Sequence, residues 1–107
     1  YDMALIFAKQ ALKNIENESK EIQQKLLILF KALEDGANLS MPVSRPMQGY
    51  QGLKELRVKD SAGIVRVFYI IESKGLIYIL HLFRKKTQKT PPQEIETAIK
   101  RYKFLKG

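Results

Sequence analysis

The sequence predicts an α+β fold, in the order β-α-α-β-β-β-α, with an antiparallel sheet and the helices packed on one of its faces. Three observations predict it. Leu53 to Lys59, Ile64 to Ile71 and Leu76 to Phe83 are runs rich in Val, Ile, Tyr and Phe, separated by short glycine-containing connections. Upstream, Ala11, Leu12 and Ile15, and then Ile22, Leu26, Leu29, Phe30 and Leu33, recur at helical spacing. Downstream, Thr90-Pro91-Pro92-Gln93 is a helix-start signal followed by another apolar stripe.

The elements follow in order. Met3 to Phe7 is a short apolar run, read as a strand that leads into the first helix at Ala8-Lys9. Ser19 opens the second helix as N-cap, with Glu21 in its first turn near the positive end of the dipole, and Gly36 stops it. Residues 37–52 hold Pro42, Pro46, Gly49 and Gly52 and read as a loop. The three meander strands come next, joined by Asp60-Ser61-Ala62-Gly63 and Ser73-Lys74-Gly75. Thr90 is expected to cap the last helix, with Pro91 at its first position and Ile95, Ala98, Ile99, Tyr102 and Leu105 on its apolar face. At 107 residues the chain is expected to be one domain, residues 1–107.

Composition narrows the function. There is no Cys, which removes disulfides, thiolate metal sites and thiol nucleophiles. No apolar run approaches the roughly 18–20 residues of a membrane span, and no signal-peptide pattern is present, so a cytoplasmic protein without a membrane partner is expected. The net charge of +8 lies entirely in residues 54–107, because residues 1–53 carry six side chains of each sign. A one-sided excess of that kind points to a polyanion such as RNA, against the simpler reading of a lysine-rich solvated surface.

Strand alternation suggests where the polyanion sits. Glu55 and Arg57 share one face of the first meander strand, and Arg66, Phe68 and Ile70 share one face of the second. An arginine inside an apolar strand must face water, a carboxylate or a phosphate, and an Arg66–Glu55 cross-strand pair is the plainer alternative to phosphate binding. After the third strand, Arg84, Lys85, Lys86 and Lys89 precede a helix N-terminus, an arrangement suited to phosphate. His81, the single histidine, is placed on a face with Ile79 and Phe83 and is either a packed imidazole or a proton-transfer group. Tyr69 and Tyr78 read as sheet packing. One histidine excludes a two-histidine ribonuclease mechanism and a His-rich metal site. The meander carboxylates Glu55, Asp60 and Glu72 are weak support for a two-metal nuclease. No cofactor is expected. The chemistry that remains is metal-free RNA cleavage, in which the 2′-hydroxyl attacks its neighbouring phosphate and the protein supplies alignment and positive charge.

Several motifs together carry a family likeness: Ile6-Phe7-Ala8-Lys9-Gln10-Ala11-Leu12-Lys13, Ser44-Arg45-Pro46-Met47, Leu53-Lys54-Glu55-Leu56-Arg57-Val58, Val65-Arg66-Val67-Phe68-Tyr69, and Leu80-His81-Leu82-Phe83-Arg84-Lys85-Lys86-Thr87-Gln88-Lys89-Thr90-Pro91. Over nearly its whole length the chain resembles the RelE/HigB toxins of bacterial type II toxin–antitoxin systems, within the RelE/ParE superfamily, especially the phage-derived HigB-like branch. The resemblance implies a ribosome-dependent mRNA endoribonuclease (an mRNA interferase) that inhibits translation and is neutralised by a cognate antitoxin, a helix-turn-helix protein. It implies that Arg57 faces the RNA, that Arg66 stabilises the transition-state phosphate, and that Lys85 or Lys86 supplies the basic group after the last strand, extended by Lys89. With His81 these make the catalytic set Arg57, Arg66, Lys85 and His81, and Lys54, Arg84, Lys86, Lys89 and Arg45 are the expected contacts to mRNA and ribosomal RNA. The last-helix tyrosine of some relatives has no counterpart, since Pro91-Pro92-Gln93 occupies that region. The alternatives on the same fold are a non-enzymatic, ParE-like gyrase poison and a basic RNA-binding module.

Overall fold

A computed structural model describes residues 3–72, 74–85 and 90–107, with the Lys85 side chain outside that set. Strand β1 (Ala4–Phe7) leads into helices α1 (Lys9–Glu16) and α2 (Lys20–Glu34). A short β2 (Ser44–Pro46) precedes the meander β3 (Leu53–Asp60), β4 (Gly63–Glu72) and β5 (Leu76–Lys85), and α3 (Pro92–Lys106) closes the chain. The expected α+β architecture is present, with a fifth strand that sequence periodicity does not reveal. β2 is only three residues long, ends in proline, and pairs antiparallel with the free edge of β3, where Pro46 can sit as an edge residue.

The sheet order is β1-β5-β4-β3-β2. It is mixed rather than wholly antiparallel, because β1 runs parallel to β5, with Ala4 opposite Leu76 and Phe7 opposite Ile79. Both hairpin pairs of the meander are antiparallel.

The helices cover both faces, not one. Val65, Val67 and Tyr69 of β4 point into a core with Leu56, Val58 and the buried stripes of α1 and α2 (Ile15, Ile22, Leu26, Phe30 and Leu33). The alternate residues Phe68 and Ile70 enter a second core with Leu53, Tyr78, Leu80 and the α3 residues Ala98 and Tyr102. β4 is apolar on both sides along most of its length, and a strand of that kind needs cover on each face. Each fully buried aliphatic or aromatic side chain contributes about 1.5–3 kcal/mol to holding these layers together.

Local chemistry sets the helix ends. The Ser19 hydroxyl accepts from the Ile22 amide at 3.2 Å, the expected N-cap. Gly36, at φ 87°, takes the left-handed conformation that follows the end of α2. The start of α3 falls one residue later than expected. Pro91 precedes another proline and is therefore held extended (φ −62°, ψ 137°), so the helix can begin only at Pro92, and Thr90 does not cap it.

One ionic clamp joins the layers. Arg84 donates to Asp60 at 3.0 and 2.7 Å and to Glu18 at 2.8 Å, while Ser19 donates to Asp60 at 2.9 Å. The end of β5, the β3–β4 turn and the α1–α2 turn thus meet at one guanidinium.

Candidate functional site

Antiparallel register builds the site. Arg57 stands opposite Arg66, and Arg66 opposite Phe83, so the three form one row across β3, β4 and β5. The neighbouring row runs Arg45, Glu55, Phe68 and His81. Alternation places both rows on the face that α3 covers farther along, over Ile70 and Tyr78.

Glu55 is the centre of the charge arrangement. Its side chain is 0% exposed, and its Oε1 accepts from Arg45 Nε at 2.9 Å and from Arg66 Nη1 at 3.2 Å. The cross-strand Arg66–Glu55 pair therefore exists, but it is one arm of a larger cluster. Arg66 is itself only 4% exposed. Burial holds its guanidinium below the usual arginine value, the Glu55 charge opposes that shift, and the nearby Arg57 and Arg45 charges add to it. It stays protonated, as arginine does in proteins. Two guanidinium groups bond one carboxylate and a third, that of Arg57, stands across from Arg66, which leaves the cluster with surplus positive charge. Two buried atoms in it, Glu55 Oε2 and Arg66 Nε, have no hydrogen-bond partner among the described residues.

A second network lies between β5 and α3. The register of β4 on β5 slips between Phe68 and Tyr69, so that Phe68 faces His81 while Tyr69 faces Ile79, and Leu80 is the extra residue of a β-bulge. Ile79 consequently enters the first core, and His81 stacks on Phe83 with ring centroids 5.5 Å apart. The shared face expected for His81 and Ile79 is lost, since a one-residue slip reverses the alternation. His81 Nδ1 lies 3.1 Å from Arg101 Nη1, and Nε2 lies 3.2 Å from Glu94 Oε2. Arg101 can only donate, so Nδ1 accepts and Nε2 carries the proton given to Glu94. Burial lowers the His81 pKa, Glu94 opposes this and Arg101 reinforces it, so the net shift favours the neutral ring.

The remaining expected residues divide. Arg84 lies opposite Val65, on the α1/α2 face, and is held by Asp60 and Glu18. It does not join the arginine row. Lys54 lies opposite Tyr69 and belongs to that same far face. The Lys85 backbone ends β5 opposite Ile64. The Lys85 side chain, Lys86 and Lys89 lie outside the described residues. Among the described residues no three His, Asp or Glu side chains gather as a metal-binding group, and no helix is long and apolar enough to cross a membrane.

Comparison with known proteins adds the lineage. A family model described as phage derived protein Gp49-like matches residues 13–103. The chain belongs to this Gp49-like family. No match was found among curated proteins. Among solved structures, a double arginine-to-alanine mutant of the Escherichia coli toxin RelE in the free state is similar, with a TM-score of 0.66 and 16% identity over 94% of this chain and 98% of that one. The Gp49-like chain therefore has the RelE fold.

Sequence reasoning did not anticipate three participants in this Gp49-like protein. Glu94 and Arg101 reach His81 from positions two turns apart on α3, a meeting that depends on α3 crossing the second face. Lys59 is exposed two positions along β3 from Arg57 and shares its face. Alternation alone could have found it, since Glu55, Arg57 and Lys59 are successive odd positions of one strand.

Proposed function

We propose that this chain is the toxin of a type II toxin–antitoxin module, a metal-independent endoribonuclease that cuts mRNA on the ribosome and is silenced by a cognate antitoxin in the cytoplasm. The observation that carries the reading is the buried Arg66 beside Arg57 and Arg45, with Glu55 the one carboxylate among the described residues that pairs with the cluster. A cluster that keeps surplus positive charge partly out of water suits the extra charge that builds on a phosphate during cleavage. The RelE fold and the Gp49-like family support the toxin assignment.

In this reading Arg57 and Arg66 hold the scissile phosphate in line for attack by the adjacent 2′-hydroxyl. Arg45 and Lys59 extend the grip, and Lys85, Lys86 and Lys89 supply further phosphate contacts and proton transfer. Both ring nitrogens of His81 are engaged by α3, so its role is to position the wall beside Phe83 rather than to touch RNA. Arg84 and Lys54 have no part at the scissile phosphate.

Mapping mRNA 5′ ends after induction tests the proposal. Discrete new ends at codons are expected, and Arg57→Ala and Arg66→Ala in folded protein should each reduce them by about 100-fold. Growth arrest with DNA damage and no new ends would favour a gyrase poison. RNA binding without turnover on translating ribosomes would leave only a basic binding module.

A further inference from the structure

We infer that Glu55 is a specificity-determining residue that accepts a hydrogen bond from the ribose 2′-hydroxyl of the nucleotide whose phosphate the arginines hold. The inference rests on the ribonuclease reading above and adds to it the group that tells RNA from DNA.

Two atoms of the cluster are unmatched among the described residues. Glu55 Oε1 already takes both guanidinium contacts, whereas Oε2 is buried without a partner among the described residues. A carboxylate oxygen only accepts, so whatever satisfies Oε2 must be a donor. Phosphate oxygens, which also accept, are repelled there. Among the described residues Arg66 Nε has no partner either, and it only donates, so its complement is an acceptor such as a phosphate oxygen. Leaving either atom unmatched is costly, because buried polar groups are normally paired. A ribonucleotide carries a hydroxyl donor and a phosphate acceptor on adjacent sugar carbons, which is the complement of this acceptor and donor. A deoxyribonucleotide lacks the donor half.

Access to Glu55 runs past Arg45. The Arg45 side chain is 33% exposed, against 5% for Arg66, and it comes from the three-residue edge strand β2. It forms the outer wall of the cluster and is the part free to move. Swinging toward an incoming phosphate exchanges its bond to Glu55 Oε1 for one to the ligand and opens a way to the carboxylate. Arg66, the more buried of the two, stays on Oε1 and keeps the carboxylate in place.

The test uses the full chain and two nucleotides that cannot be cleaved, adenosine 3′-monophosphate and 2′-deoxyadenosine 3′-monophosphate, with inorganic phosphate as a third probe, titrated by NMR. The wild type is expected to bind the ribonucleotide about tenfold more tightly than the deoxy analogue, as a hydrogen bond to a charged group implies. Glu55→Ala should abolish the preference. Glu55→Gln, which keeps the shape and an acceptor oxygen, should retain part of it. Arg66→Ala should weaken both nucleotides together. Equal binding of the two nucleotides by the wild type, with phosphate bound, would overturn the Glu55 assignment while leaving the phosphate grip standing, and would mean that water alone fills the gap. A preference that survives in folded Glu55→Ala would overturn it too. If neither nucleotide nor phosphate binds at the arginine row, the inference and the nuclease reading beneath it both fail.

Discussion

Arg84 grips Asp60 through two hydrogen bonds at once, Nη1 to Oδ1 at 3.0 Å and Nη2 to Oδ2 at 2.7 Å. This fork-on-fork geometry ties the end of β5 to the β3–β4 turn, and Glu18 extends it to the α1–α2 turn. The guanidinium holds the Asp60 carboxyl well below the usual aspartate range, while burial works against it and Ser19 assists.

Arg84→Ala should therefore lower the melting temperature by several degrees while leaving nucleotide binding at the arginine row unchanged. Because the folded-state pKa of Asp60 is depressed, its contribution is fully present above the unfolded value of about 3.9 and is lost as the pH falls toward the folded pKa. Urea titrations below pH 4 should show an acid-induced loss of stability that is diminished in Asp60→Asn.

His81 is expected to oppose folding in mild acid. Its pKa is lowered mainly by burial, so the folded state resists the proton that the unfolded chain takes up below about pH 6.5. Glu94 favours the charged ring, whereas Arg101, which donates to Nδ1, disfavours it. Stability measured from pH 7 to 5 should fall in the wild type and fall less in His81→Gln. An upfield-to-downfield titration of the imidazole C–H with a midpoint at or above 6.5 would contradict the neutral ring.

Tyr102 offers a spectroscopic check on how α3 docks. Its hydroxyl donates to Glu72, and that bond, with burial in second place, pushes its pKa up to about 12. Absorbance titration should show one phenol ionising near that value, absent in Tyr102→Phe. Stability from the contact is complete below pH 10 and declines as the pH rises toward the folded value. The Phe variant should lose about 1 kcal/mol near neutral pH, the usual net worth of such a hydrogen bond.

The parts legible in the sequence were those written in short-range periodicity. Ile22, Leu26, Phe30 and Leu33 mark the buried face of α2 because 3.6-residue spacing puts them in one stripe. Arg57 and Arg66 share a face with Glu55 because side chains alternate along strands, and a two-residue turn between Asp60 and Gly63 sets β3 against β4. Those rules depend only on near neighbours in the chain.

What the tertiary structure decided was every meeting between distant segments. Arg45 reaches Glu55 because β3 had a free edge on which three residues could pair, and nothing in Ser44-Arg45-Pro46 announces a strand. His81 belongs to α3 because a bulge at Leu80 shifted the alternation and because α3 lies on the face opposite α1 and α2. Arg84, which reads in the sequence as one more cation in a basic run, is taken by carboxylates 24 and 66 residues away along the chain. Backbone pairing and burial select such partners over the whole molecule at once, and the charge of a residue does not by itself say which face will claim it.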